Sequence, residues 1–201
     1  MLDKFYLIID DVSWLDRLLP LGLKLVQLRI KNQPDNIVFE QILQAKKQCE
    51  QYHCQLVIND YWQFAIEAGC HYIHLGQEDL ISADLAKIKQ ANIKFGVSTH
   101  TEDELAIALA CQPDYIALGP IFETTLKKMP YAPQGLARIQ QWKNKIGSLP
   151  LVAIGGIKLE LAENIYQAGA DSIAVVTDVL FHQNPEKRLK QWLNIEKKGS
   201  F

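Results

Sequence analysis

The sequence lacks any apolar run close to the roughly 20 residues that a membrane span requires. It also lacks an excess of positive charge. Lys and Arg number 21 against 23 Asp and Glu, a formal net charge of −2, which argues against a broad nucleic-acid footprint. Cysteine is sparse and unpatterned. Cys49, Cys54, Cys70 and Cys111 form no CxxC pair. Cys49 and Cys54 are close enough in sequence to share a metal, but no second His or Cys pair completes a zinc set, so reduced, packed thiols are expected. The opening segment MLDKFYLIIDD has neither the basic stretch nor the long apolar core of a secretory signal, and a cytoplasmic location is expected. No low-complexity linker divides the 201 residues, so residues 1–201 are read as a single domain.

What is present is alternation. Apolar runs recur near Phe5–Ile9, Leu25–Leu28, Gln55–Ile58, Tyr72–Leu75, Lys94–Val97, Tyr115–Leu118, Leu151–Ile154 and Ser172–Val176. They are rich in Val, Ile, Leu and Tyr, as strands buried on both faces should be. Helical patterns separate them. One carries Phe39, Ile42, Leu43 and Ala45. Another carries Leu159, Leu161, Ile165 and Ala168, with Gly169 placed as a C-cap. Eight strand–helix units of roughly 25 residues lie at the lower limit for a (β/α)₈ TIM barrel, and that α/β fold is the expectation. An open doubly wound sheet is the alternative, but polar residues follow nearly every strand and are not confined to one switch point. The tail Asn194–Phe201 is expected to fray.

In such a barrel the site forms where the strands end. Gln27, Arg29 and Lys31 alternate along one side of the second strand and its exit, with Leu28 and Ile30 on the other. Two cations and an amide suit a polyanion such as diphosphate, although an edge Arg and Lys without a ligand also fits. Asn59-Asp60 leaves the third strand and Gly76-Gln77-Glu78-Asp79 the fourth. Two carboxylates on adjacent strands suit Mg²⁺; each alone could instead cap the helix behind it, and Glu78 is expected to face solvent. Ser98 and His100 follow the fifth strand, with His100 open to acid–base or capping roles. A long connection after the sixth strand holds Thr124, Thr125, Leu126 and Lys127, and reads as a binding loop or a mobile polar one. Gly155-Gly156 and Val176-Thr177 follow strands seven and eight, the usual phosphate position in this fold, where a tight turn would also call for glycine.

The segments QLRIK, INDY, HLGQED, GVSTH, GPIFETTLKK, AIGGI and SIAVV stand in order over about residues 6–179. Together they resemble the thiamine phosphate synthase family, and MPYAPQGL is similar to the corresponding loop of proteobacterial members. The resemblance implies a transferase that joins 4-amino-2-methyl-5-(diphosphooxymethyl)pyrimidine to a thiazole phosphate, with Mg²⁺ as cofactor. It implies that the pyrimidine ionises first, that the thiazole nitrogen then attacks, and that no protein nucleophile is needed.

By matching position, Gln27, Leu28, Arg29, Ile30 and Lys31 would hold the pyrimidine diphosphate together with Asn59, and Asp60 and Asp79 would bind the metal. Ser98 and Lys127 would also contact the pyrimidine substrate, with Lys127 and Arg29 in catalytic roles on the departing pyrophosphate. Thr124, Thr125 and Leu126 would meet the thiazole phosphate, and Gly156, Val176 and Thr177 would hold its phosphate. The partners implied are these small phosphorylated substrates, with neither nucleic acid nor membrane. Four positions depart from the family pattern, one of them, Thr177 in place of a serine, keeping the hydroxyl. Glu123 replaces a proline, Leu126 replaces a threonine, and Asp178 adds negative charge beside the expected phosphate. A thiazole tautomerase on the same barrel, a sugar-phosphate isomerase and a non-catalytic binding protein are the competing readings. Asp60, Asp79 and Pro120 argue against the tautomerase.

Overall fold

A computed structural model describes residues 2–124 and 131–198. Eight strands close into one parallel barrel in sequence order: β1 (Phe5–Ile9), β2 (Leu25–Leu28), β3 (Gln55–Asn59), β4 (Tyr72–Leu75), β5 (Lys94–Thr99), β6 (Tyr115–Leu118), β7 (Leu151–Ile154) and β8 (Ser172–Val175). β1 pairs with both β2 and β8, so no strand is left as an edge. The expected strands are all present, with β3 and β5 running one and two residues further toward the mouth.

Around the barrel run α1 (Trp14–Leu18), α2 (Asp35–Gln51), α3 (Trp62–Glu67), α4 (Gln77–Ser82), α5 (Leu85–Gln90), α6 (Glu102–Ala110), α7 (Gly135–Ile146), α8 (Ala162–Gln167), α9 (Thr177–Leu180) and α10 (Pro185–Lys198). In α2 the buried stripe is Val38, Ile42, Ala45 and Cys49, at helical spacing; Leu43, expected on that stripe, is 44% exposed. Gly169 ends α8 at φ 106°, as the sequence suggested. The tail is a correction. α10 continues through Lys198 instead of fraying at Asn194, because Leu189 and Trp192 bury its inner face and Phe5 stacks on Trp192 at 5.1 Å; residues 199–201 lie outside the described residues. No helix among the described residues is long and apolar enough to cross a membrane.

Strand alternation divides the protein into two cores. Leu7, Ile9, Val26, Leu28, Ile58, Ile73, Phe95, Val97, Ile116 and Leu118 point outward and pack under the helices. Tyr6, Ile8, Leu25, Val57, Tyr115, Ala117, Val152 and Ala174 fill the barrel itself. Gly96 makes this filling possible, since a Cβ there would fall 2.0 Å from the Tyr115 ring. That ring fills the middle of the barrel beneath the strand ends.

Candidate active site

The opening is a pocket lined by Tyr6, Ile8, Gln27, Arg29, Asn59, His74, Ser98, Ala117, Val152, Ile154 and Ala174. Every one lies on the inward face of a strand or at its C-terminal end. Arg29 continues the β2 alternation past the strand, fixed by its backbone N–H donating to Ile9 O at 2.8 Å. Among the described residues no carboxylate pairs with its guanidinium. Leu28 and Ile30 fall elsewhere. Their side chains are 1% and 2% exposed within the outer core, so only their main chain can reach a ligand at the mouth.

The acidic half gathers on β3 and α4. Asp60 sits at φ 64°, a left-handed conformation that a non-glycine residue adopts at a cost. Its carboxylate pairs with Lys31 and accepts from Asn59 Nδ2 at 2.5 Å. The Asp79 carboxyl is its neighbour. Burial, and then the charge of Asp60, raise the Asp79 carboxyl above the ordinary carboxylate range. Neither aspartate is itself the N-cap, since α3 and α4 begin at Tyr61 and Gly76; the Asp79 carboxyl lies in the first turn of α4 and accepts from its own backbone N–H. Glu78 is exposed, as expected. The arrangement suits Mg²⁺, which prefers oxygen ligands and typically takes one or two carboxylates together with phosphate oxygens and water. Among the described residues no set of three His, Cys, Asp or Glu forms a protein cage for a metal.

Across the barrel runs a hydrogen-bonded chain that the sequence reading missed. Gln27 Nε2 donates to Tyr6 OH at 2.8 Å, and Tyr6 OH meets Tyr115 OH at 3.2 Å. Tyr115 OH meets His74 Nδ1, and His74 Nε2 meets Ser98 Oγ, both at 2.8 Å. Burial lowers His74 to about 4 and holds both phenols well above their usual value. Asp60 and Arg29 act on His74 with opposite sign, which places both charges around the same imidazole. The period-two pattern of Tyr72 and His74 was the available signal for an inward histidine.

His100, by contrast, points away from the pocket. Its Nδ1 lies 2.7 Å from Glu104 Oε2, and its ring stacks on Tyr131 at 4.4 Å. Tyr131 OH donates to Glu104 Oε1 at 2.9 Å, while Thr101 caps α6. These three side chains fasten the returning end of the β6–α7 connection. Gln134 and Gly135 donate backbone N–H groups to Pro120 O and Ile121 O, bringing that end back to the mouth.

Thr124 is half-buried at the start of the same connection; Thr125, Leu126 and Lys127 lie outside the described residues. Gly156 has φ 67°, and a Cβ there would lie 2.3 Å from Glu123 O. The close approach of the β6 and β7 loops therefore demands glycine whether or not phosphate binds. Val176 and Thr177 form the turn into α9, on the strand adjacent to β7. Asp178 is aimed away from them. It accepts from Arg188 Nε at 2.8 Å, Trp192 Nε1 at 2.8 Å and Leu159 N at 3.2 Å.

Fold and mouth define the class: a closed parallel (β/α)₈ barrel whose strand ends carry a cationic side, an acidic side and a buried polar chain between them. The family model described as thiamine monophosphate synthase matches residues 5–179, and the chain belongs to that family. It is 55% identical over 192 residues to a thiamine-phosphate synthase of Rhizobium etli, covering 96% of this chain and 94% of that one. A thiamine-phosphate synthase of Klebsiella pneumoniae is 46% identical, with 87% and 82% covered. A solved thiamine phosphate pyrophosphorylase from Pyrococcus furiosus superposes with a TM-score of 0.85 at 25% identity, covering 97% and 96%.

Proposed function

We propose that this protein condenses 4-amino-2-methyl-5-(diphosphooxymethyl)pyrimidine with 4-methyl-5-(2-phosphoethyl)thiazole, or its carboxylated form, to give thiamine phosphate and pyrophosphate. Beyond family membership, one observation carries the reading. The carboxyls of Asp60 and Asp79 are paired beside Lys31, and Asp60 lies within electrostatic range of the imidazole that Arg29 also faces. An anion with its own cation is the partner that relieves both the crowded carboxylates and the unpaired guanidinium.

In this reading Gln27, Asn59 and Ser98 position the pyrimidine substrate, and Arg29 and Lys31 offset the charge of its diphosphate. Lys31 would exchange its Asp60 contact for a phosphate oxygen as Asp60 and Asp79 take up Mg²⁺. Bound Mg²⁺ supplies further neutralisation of diphosphate oxygens. The CH₂–O bond breaks with its electron pair leaving on pyrophosphate, and the thiazole nitrogen lone pair forms the new C–N bond. Neither step needs a protein nucleophile or base, so the protein's contribution is alignment and charge stabilisation. Thr124, Thr125, Gly156, Val176 and Thr177 would hold the thiazole phosphate. Leu126 can contribute there only through its backbone, and Lys127 would join Arg29 on the leaving group. The substrates are small soluble metabolites, in keeping with a cytoplasmic location.

The test is pyrophosphate release with each substrate alone and with both, with and without a chelator. Release that requires both substrates and Mg²⁺ is expected. No release under any condition, or a rate indifferent to chelator, overturns the activity or the metal assignment respectively.

A further inference from the structure

Five polar side chains form one continuous line through the barrel, and only its two ends, Gln27 and Ser98, are assigned to substrate above. The three in the middle are almost fully covered, with Tyr6 and His74 contributing to the pocket wall and Tyr115 behind them. Tyr6 and Tyr115 are 1% exposed and His74 is 7% exposed. Buried polar groups must use their hydrogen-bonding capacity internally, and each hydroxyl has a single proton to give. The direction of every bond therefore follows from the first.

Gln27 donates an amide hydrogen to Tyr6 OH. Tyr6 OH has one other hydrogen-bond partner among the described residues, Tyr115 OH, and because it already accepts from Gln27 its own proton goes there. Tyr115 in turn gives its proton to His74 Nδ1. An imidazole that accepts at Nδ1 carries its hydrogen on Nε2, and that hydrogen goes to Ser98 Oγ. Ser98 has then accepted, and its hydroxyl hydrogen is free to point into the pocket. Its backbone is held by Gln77 Nε2 donating to Ser98 O at 2.6 Å. At the opposite end Gln27 has placed one of its two amide hydrogens on Tyr6, which fixes the amide orientation, and its Oε1 has no protein partner among the described residues.

We propose that Tyr6, Tyr115 and His74 are positioning residues that fix the donor–acceptor polarity of the site, orienting the Gln27 amide so that its Oε1 is offered as an acceptor, and Ser98 Oγ as a donor, toward the ligand. That pattern complements a 4-aminopyrimidine, which offers amino hydrogens and a ring-nitrogen lone pair. It opposes a 4-oxopyrimidine, whose carbonyl and ring N–H reverse the pattern. The ligand identity rests on the activity proposed above; the polarity rests on the hydrogen bonds alone.

Two measurements test it. Nitrogen NMR of the full-length unmodified protein reads the His74 tautomer without any substrate. The Nε2–H tautomer is expected, and the Nδ1–H tautomer or an imidazolium overturns the proposal. Separately, Tyr115→Phe keeps the ring and removes the central link. It is expected to raise KM for the aminopyrimidine diphosphate about tenfold, the worth of one lost hydrogen bond, with a smaller change in kcat. The same change made in a Ser98→Ala background should have little further effect, because the relay acts through Ser98. Independent, additive losses would mean that Tyr115 merely supports the core, and would overturn the positioning role. Absence of turnover in the unmodified protein would defeat the proposed activity but leave the tautomer result to decide the relay.

Discussion

The carboxylate of Asp178 grips the Arg188 guanidinium from both oxygens, Oδ2 to Nε at 2.8 Å and Oδ1 to a terminal nitrogen at 2.9 Å. Arg188 also holds both oxygens of Glu160 at 2.9 and 3.0 Å. The pair ties α9 to α10 and to the turn at Leu159, and its side chains are 9% and 10% exposed. Removing Asp178 leaves the buried Arg188 with the exposed Glu160 as its charge partner and takes the acceptor from Trp192 Nε1, so Asp178→Ala should cost about 3 kcal/mol in chemical denaturation. Since the carboxylate is neutralised away from Thr177, the substitution should not lower KM for the thiazole phosphate. A marked fall in that KM would mean that Asp178 opposes the substrate.

Asp79 belongs to the other kind of acidic residue, one held beside a like charge. Asp79→Ala should leave the melting temperature nearly unchanged in chelator and lower kcat/KM by about 10²-fold at limiting Mg²⁺, the scale of removing one electrostatic stabiliser. An unaltered rate at limiting Mg²⁺ removes Asp79 from the metal site.

Gly156 stands where φ is 67° and where any side chain would strike the Glu123 carbonyl. Gly156→Ala should destabilise the protein by roughly 2 kcal/mol. It should also raise KM for the thiazole phosphate more than for the pyrimidine, because the β6 and β7 loops must separate. Thermal melts and two-substrate kinetics read both effects.

The Glu104 carboxyl is pulled in two directions. Burial raises its proton affinity, but hydrogen bonds from His100 and Tyr131 outweigh it and hold the group below its ordinary 4.5. A depressed folded value means that its stabilisation is present above the unfolded value and is lost as pH falls through the folded one. Glu104→Gln should therefore cost about 1 kcal/mol near pH 7, a modest figure for a partly solvated site. The gap to the unmodified protein should close as pH drops below about 4.5. A gap independent of pH would show that packing, not charge, fastens Tyr131.

Much of the site was legible because strand period translates directly into direction. Gln27, Arg29, Asn59 and Ser98 could be read as inward-facing at the mouth, and they line the pocket. The same alternation placed Leu28 and Ile30 outward, which limits any contact of theirs to backbone. His74 was equally available to that rule and was passed over, because a lone histidine in an apolar strand gives no sign of its partners. Tyr6 and Tyr115 are 109 residues apart in the chain, and only closure of the barrel puts their hydroxyls in contact.

By itself the sequence determined the eight strands, the strand ends where charge gathers and the glycines at close approaches, since periodicity, polarity and the lack of a Cβ are local properties. The tertiary structure alone decided what each polar group does with its hydrogen bonds. It gave Asp178 an arginine partner, turned His100 toward Glu104, and strung a polar line from Gln27 to Ser98. Hydrogen bonds span about 3 Å and are indifferent to sequence distance, so their partners emerge only once the chain is folded.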